Sequence, residues 1–231
     1  MSETVTIRTP DGEFDAYLAR PAAAKAPAVV VIQEIFGVNA VMRAISDGFA
    51  REGYLAICPD LFWRIEPGID LSDRSQAELS RAFELFNAFD VDLGVRDIAA
   101  TVAHARAHPA ANGKVGSVGF CLGGLLAFLT GARTDVDADV GYYGVGIERH
   151  LAEADKLANP LLLHVAEEDQ FVPREAQALI ISALKHHPLV ELFTYPGRNH
   201  AFARAGGEHY HASDAALAQR RTLDFLGRAL G

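Results

Sequence analysis

A cysteine between glycines, at the centre of residues 119–123 (Gly-Phe-Cys-Leu-Gly), is the candidate nucleophile of this chain. A short apolar run precedes Cys121, and strong helix formers without a turn residue follow at 125–129. This strand, turn and helix pattern has the form of the nucleophile elbow G-x-S-x-G with cysteine replacing serine, where glycines avoid collisions with a strained backbone. The partly positive N-terminus of the helix favours a thiolate. The alternative is a small buried apolar residue in a glycine-rich turn.

A base and an acid for this nucleophile follow later in the chain, each after a predicted strand. Asp169 follows the strand at 161–165, and His200 follows the strand at 189–195. The order of nucleophile, acid and histidine is that of the α/β-hydrolase fold. Parallel strands bring their carboxyl ends to one crevice, so these residues can converge. Two glutamates beside Asp169 and nine histidines in the chain leave turn, capping and surface roles open for each.

The elements that must position these side chains alternate between strands and helices. Apolar and polar residues alternate at 4–8 and 14–19 around a Pro-Asp-Gly turn, which predicts an antiparallel hairpin. The continuous apolar run at 28–32 predicts a strand buried on both faces. Further strands return after helical segments, as in a parallel sheet built by right-handed crossovers. We predict an α/β-hydrolase fold, with a mostly parallel central sheet, helices on both faces and an N-terminal antiparallel hairpin.

The composition restricts the class of protein. The 231 residues fit one α/β domain spanning 1–231. A net charge of −9 without a lysine- or arginine-rich run argues against a nucleic acid or an anionic membrane as partner. The start lacks a signal-peptide pattern and no apolar run approaches about 20 residues, so we expect a cytoplasmic protein. Without P-loop or H-E-x-x-H motifs, and with two widely separated cysteines, we expect neither cofactor nor metal. We expect a monomer.

Five motifs resemble those of the dienelactone hydrolase (carboxymethylenebutenolidase) family, and they extend over nearly the whole chain. The motifs are residues 33–39 (QEIFGVN), 58–61 (CPDL), 119–124 (GFCLGG), 141–146 (GYYGVG) and 200–204 (HAFAR). The resemblance implies an α/β-hydrolase with a triad of Cys121, Asp169 and His200. It also implies that Glu34 pairs with the resting thiol and helps to activate it when substrate binds.

The resemblance further implies an oxyanion hole and a site for the substrate carboxylate. The oxyanion hole would consist of the backbone amides of Ile35 and Leu122. The family is expected to hold the carboxylate with two arginines, of which Arg204 matches one. The other position is Leu79, with Arg81 two residues further on. Because two residues rotate a helical side chain by about 200°, Arg81 is equally well interpreted as a solvated surface charge.

Aromatic side chains complete the predicted pocket. Phe83 and Phe86 match an aromatic pair of the family, and Phe36 is a further candidate, for which a core role is the alternative. We therefore predict a cysteine hydrolase that opens dienelactone to maleylacetate through an acyl-enzyme. The alternatives are a carboxylesterase or thioesterase for a less polar small ester, and a non-catalytic redox sensor or binding protein with the same fold.

Overall fold

Eight strands and six α-helices form the computed structural model over residues 2–231, the part of the chain it describes. The strands are β1 (Ser2–Thr9), β2 (Gly12–Ala19), β3 (Ala26–Ile32), β4 (Leu55–Pro59), β5 (Ala111–Phe120), β6 (Ala138–Tyr142), β7 (Leu161–Ala166) and β8 (Val190–Tyr195). The helices are α1 (Ala40–Arg51), α2 (Gln76–Ala88), α3 (Val91–Ala107), α4 (Leu122–Arg133), α5 (Arg174–Leu184) and α6 (Ala212–Leu230). Two short 3₁₀ helices, Ile147–Arg149 and Leu151–Lys156, were not predicted from the sequence.

The strands form a mixed sheet that is mostly parallel. Its order is β1-β2-β4-β3-β5-β6-β7-β8. The N-terminal pair β1 and β2 is antiparallel, as predicted, and β2 also runs antiparallel to β4. The pairs β3–β4, β6–β7 and β7–β8 are parallel. The predicted fold class is therefore confirmed.

The described chain divides into two compact units, of which the first extends through Ser117. Its central strand β3 is buried without interruption from Ala28 to Ile32, so both faces of the sheet are covered there. Helix α1 begins where the side chain of Asn39 accepts a hydrogen bond from the amide of Met42 at 3.0 Å. This cap satisfies an amide that has no partner within the helix.

The second unit comprises Val118–Gly231 and contains the predicted triad. Helix α4 is buried along its whole length except for Arg133, as its apolar and glycine-rich sequence requires. Strands β6 and β7 are buried at every position. The prediction of a single domain over 1–231 stays a prediction.

A buried chain of hydrogen bonds joins α6 to three strands of the second unit. His164 contacts the Tyr195 hydroxyl through Nδ1 at 2.8 Å and the Thr222 hydroxyl through Nε2 at 3.0 Å. The Thr222 hydroxyl lies 2.6 Å from that of Tyr142, and Arg221 donates to Tyr195 at 3.2 Å. Burial, assisted by the Arg221 cation, lowers the pKa of His164 to about 3, so this imidazole is neutral.

Candidate active site

The nucleophile elbow is built from closely packed backbone. Cys121 has φ +56° and ψ −115°, a conformation that costs a non-glycine residue about 1–3 kcal/mol. A Cβ atom on Gly119 would lie 1.8 Å from the carbonyl oxygen of Gly123. One on Gly124 would lie 2.6 Å from the carbonyl oxygen of Tyr142. Glycine is therefore required at both positions for the turn to close.

The elbow is attached to the neighbouring strand and leaves an amide available at its tip. The Cys121 amide donates to the carbonyl of Tyr142 at the end of β6, at 3.1 Å. Leu122 is the first residue of α4, where an amide has no partner within the helix. The Cys121 side chain is 9% exposed. The thiol is thus shielded and lies beside a helix N-terminus.

Asp169 and His200, the acid and the base that the sequence predicts, are both buried and hydrogen-bonded to each other. They follow the parallel neighbours β7 and β8. Nδ1 of His200 donates to Oδ2 of Asp169 at 2.8 Å and to Oδ1 at 3.1 Å. Oδ1 also accepts the amides of Phe171 and Val172, at 2.8 and 3.2 Å. These contacts fix the carboxylate, which in turn fixes the imidazole ring and its tautomer.

The opposite ring nitrogen of His200 is the one available for chemistry. Within residues 2–231, its Nε2 atom makes no well-aligned hydrogen bond to a nitrogen or oxygen atom. Burial lowers the pKa of His200, but the Cys121 thiolate and the hydrogen bonds to Asp169 raise it more strongly, to about 10. Cys121 is therefore close enough to act on His200 electrostatically, and a protonated imidazole is favoured once Cys121 has lost its proton.

Two aromatic rings enclose His200. Tyr143 and Phe171 meet the imidazole edge to face, with centroids 5.0 and 4.9 Å away. Among residues 2–231, the non-glycine residues with positive φ are Cys121, Tyr143 and Ala201, which all belong to this site. Strained backbone is typical of functional sites. No role was predicted for Tyr143, Phe171 or Ala201, although Tyr143 and Ala201 lie in the motifs at 141–146 and 200–204.

In the first unit, Glu34, Ile35 and Phe36 follow β3 as predicted and are all buried, with Glu34 only 2% exposed. The carbonyl of Phe36 accepts the amide of Leu71 at 2.9 Å. This bond joins the segment to the predicted loop at 61–72. Burying the carboxylic acid of Glu34 costs folding free energy. Such residues are typical of functional sites.

Helix α2 carries the other candidates of the first unit. Arg81 forms ion pairs with Glu66 and with Glu84, the latter at 2.8 Å, and its side chain is 39% exposed. Phe83 and Phe86 are half-buried on the same helix. The ion pairs favour the surface-charge interpretation of Arg81, because binding a substrate carboxylate would require it to exchange these partners.

Arg204 lies in a compact loop directly after His200. The loop is closed by the amide of His211, which donates to the carbonyl of Phe202 at 2.9 Å. The amide of Arg204 donates to the carbonyl of Ala201 at 3.0 Å, and its side chain is half-buried. This partly shielded guanidinium has the fork geometry that binds a carboxylate in a bidentate manner.

Over residues 2–231, no group of three or more histidine, cysteine, aspartate and glutamate side chains is arranged to hold a metal ion. In the same range, none of the helices combines the length and the apolar character that crossing a bilayer requires.

Comparison with known proteins agrees with this geometry. Residues 14–230 match the sequence model of the dienelactone hydrolase family. The chain belongs to this family. A relative from Azospirillum brasilense is 49% identical over 225 residues, which is 96% of each chain. The carboxymethylenebutenolidase of Pseudomonas putida is 44% identical over 227 residues, covering 98% of this chain and 96% of its own.

The structural comparison leads to the same family. The crystal structure of a proposed dienelactone hydrolase from Klebsiella pneumoniae superposes with a TM-score of 0.88 at 26% identity and covers 98% of both chains. As a member of the dienelactone hydrolase family, the chain is a hydrolase that acts on ester bonds. The non-catalytic alternative considered from the sequence is thereby set aside.

Proposed function

We propose that this hydrolase opens dienelactone (4-carboxymethylenebut-2-en-4-olide) to maleylacetate with a triad of Cys121, Asp169 and His200. The main support is the buried Asp169–His200 pair, whose free Nε2 side is coupled electrostatically to Cys121. A nucleophile, a base and an orienting acid in this arrangement suit acyl transfer. The name of the Pseudomonas putida relative supports a lactone as the substrate.

The proposed reaction has two steps. When substrate binds, the thiol proton of Cys121 passes to Nε2 of His200. The sulfur then attacks the lactone carbonyl carbon, and the carbonyl electrons move onto the oxygen. When this intermediate collapses, the ring carbon–oxygen bond breaks and His200 donates the proton on Nε2 to the leaving enolate. Water then attacks the thioester while His200 accepts its proton, which releases the new carboxyl group and the Cys121 sulfur.

The proposal assigns the remaining roles as the family resemblance implies. The amides of Ile35 and Leu122 donate to the oxyanion, and each such donor contributes about 3–4 kcal/mol to transition-state stabilisation. Glu34 holds the resting thiol in its neutral form and helps to activate it when substrate binds. A neutral thiol resists oxidation, which requires thiolate character.

Steady-state hydrolysis by wild-type protein and Cys121→Ala tests the nucleophile. We expect hydrolysis by the wild type and loss of turnover in the variant, because the proposed thioester forms on the Cys121 sulfur. Unchanged binding of dienelactone by the variant, measured by calorimetry, would show that the site is intact. An active Cys121→Ala variant would rule out the assignment.

A neutral ester is the second candidate substrate, and the surroundings of α2 favour it. Arg81 is engaged by two glutamates, and Leu79 stands where the family resemblance leads us to expect an arginine. The kcat/KM values for dienelactone and p-nitrophenyl acetate decide between the two substrates.

The role of Arg204 is tested separately. If Arg204 binds the lactone carboxylate, Arg204→Ala raises KM for dienelactone by about tenfold and leaves KM for the neutral ester nearly unchanged. Equal effects on both substrates would contradict that role.

Phe36, Phe83 and Phe86 are proposed as apolar contacts for either substrate. The cytoplasmic location and the monomeric state expected from the sequence stay predictions.

A further inference from the structure

The side-chain amide of Asn199 connects three segments around the acid–base pair. Its Oδ1 accepts the amide of His200 at 2.7 Å and the amide of Gln170 at 3.0 Å. Its Nδ2 lies 3.3 Å from Nε2 of His209, in the loop that carries Arg204. One side chain therefore contacts the histidine segment, the acid segment and the loop that follows them.

The hydrogen-bonding chemistry fixes the orientation of this amide. Backbone N–H groups can only donate, so the oxygen of Asn199 must face His200 and Gln170. The amide nitrogen then donates to Nε2 of His209, which accepts through its ring lone pair. Rotating the amide by 180° would place donors against donors. Three contacts thus specify a single orientation.

Asn199 acts where the two catalytic segments meet. Gln170 directly follows Asp169, and His200 directly follows Asn199, so one oxygen atom binds the backbone beside both members of the pair. A backbone bond between the same segments joins the amide of Glu168 to the carbonyl of Arg198, at 2.8 Å. The Asn199 oxygen therefore constrains the backbone positions from which the Asp169–His200 hydrogen bond is made.

We propose that Asn199 is a positioning residue of the hydrolase: it holds the segments of Asp169 and His200 in the register that proton transfer requires, and His209 holds its amide in place. This inference rests on the proposed triad. Asn199 is half-buried and lies outside the apolar core, so its contribution to catalysis should exceed its contribution to folding.

Replacing Asn199 separates the roles. We expect Asn199→Ala to lower kcat by about tenfold with KM within about twofold, because two hydrogen bonds that set the pair geometry are lost. Asn199→Asp keeps an oxygen that accepts both amides, so it should recover most of kcat. His209→Ala keeps the oxygen but frees the amide, and we expect a fall of about two- to threefold.

The matched control is Asn112→Ala. The side chain of Asn112 accepts the amide of Lys114 at 2.9 Å at the exposed start of β5 in the first unit, and its loss should leave kcat unchanged. The pH dependence of kcat is a second test, because replacing a residue with a purely structural role would not shift it. Loosening the Asp169–His200 bond lowers the pKa of His200, so the alkaline limb of kcat should move to lower pH in Asn199→Ala.

The outcomes distinguish this inference from the function on which it rests. Wild-type kcat in Asn199→Ala, or equal impairment of Asn199→Ala and Asn199→Asp in folded protein, would overturn the positioning role. If Asn199→Ala does not fold, Asn199→Asp and His209→Ala carry the comparison, and wild-type kcat in His209→Ala would remove the role of His209. If the proposed triad itself is wrong, the result is distinguishable, because Cys121→Ala then remains active.

Discussion

Replacing Asp169 with asparagine changes one atom of the acid–base pair and should abolish most activity. Oδ1 of Asp169 accepts two backbone amides, so the oxygen of asparagine must take that place. The new NH₂ group then occupies the position of Oδ2, which lies 2.8 Å from Nδ1 of His200. A donor would face the N–H group of the imidazole. The ring must therefore adopt the other tautomer, with the proton on Nε2, or lose its partner.

The size of the effect follows from these contacts. The hydrogen bond between the carboxylate and the imidazolium is charge-assisted and contributes about 1.5–3 kcal/mol, and facing two buried donors costs about 1–3 kcal/mol more. Holding His200 in its working tautomer would thus cost about 2.5–6 kcal/mol, which lowers kcat by roughly 10²- to 10⁴-fold. The pKa of His200 should also fall, because the carboxylate that raises it is removed.

The assay compares kcat for dienelactone in wild type and Asp169→Asn across pH, with thermal unfolding as the test of folding. Asp90→Asn is the matched control, since Asp90 caps α3 by accepting the amide of Leu93 and asparagine caps equally well. A folded Asp169→Asn variant within tenfold of wild-type kcat, beside an inactive Cys121→Ala, would refute the orienting role of Asp169.

Three further substitutions, with Thr101→Val as a control for one of them, test the surroundings of the site. Gly119→Ala should prevent folding or lower the free energy of unfolding in urea by more than about 3 kcal/mol, since its Cβ would lie 1.8 Å from the Gly123 carbonyl oxygen. Thr222→Val should cost about 1–3 kcal/mol in the same assay, because buried polar groups lose a partner. Thr101→Val, which loses only a bond to its own helix, should cost less. Arg81→Ala should change kcat/KM for dienelactone by less than about threefold and leave stability nearly unchanged, since its ion pairs are exposed. A tenfold loss of kcat/KM would restore Arg81 as a substrate ligand.

The order of the elements and the pairing of Asp169 with His200 could be predicted because the sequence patterns that indicate them lie within single segments of the chain. Uninterrupted apolar runs identify buried strands, and the glycines around Cys121 identify the elbow. The beginning of β5 was harder to predict. Asn112 and Gly113 are turn residues, but the strand begins at Ala111 and continues through Gly113 at φ +96°. Glycine accommodates a local distortion within the strand without ending it.

The remaining parts of the site depend on contacts between distant segments. The ion pair between Arg81 and Glu66 joins a helix to a loop, and no periodicity of α2 predicts it. Phe171 is 43% exposed, which suggests a surface residue until its ring is found against His200. Asn199 and Gln170 are 29 residues apart in sequence and meet because β7 and β8 are neighbours.

The strained backbone at Cys121 and Tyr143 is held by hydrogen bonds to residues of β6 and β7. The carbonyl of Tyr142 accepts the Cys121 amide, and that of His164 accepts the amide of the strained Tyr143 at 2.8 Å. Both of these supporting residues belong to the buried chain that ends on Thr222 of α6, 80 residues after Tyr142. A loosened chain would let Cys121 and Tyr143 relax toward unstrained conformations. Helix α6 therefore helps to hold Cys121, the proposed nucleophile, in its strained conformation, although none of its residues was predicted to take part in the chemistry.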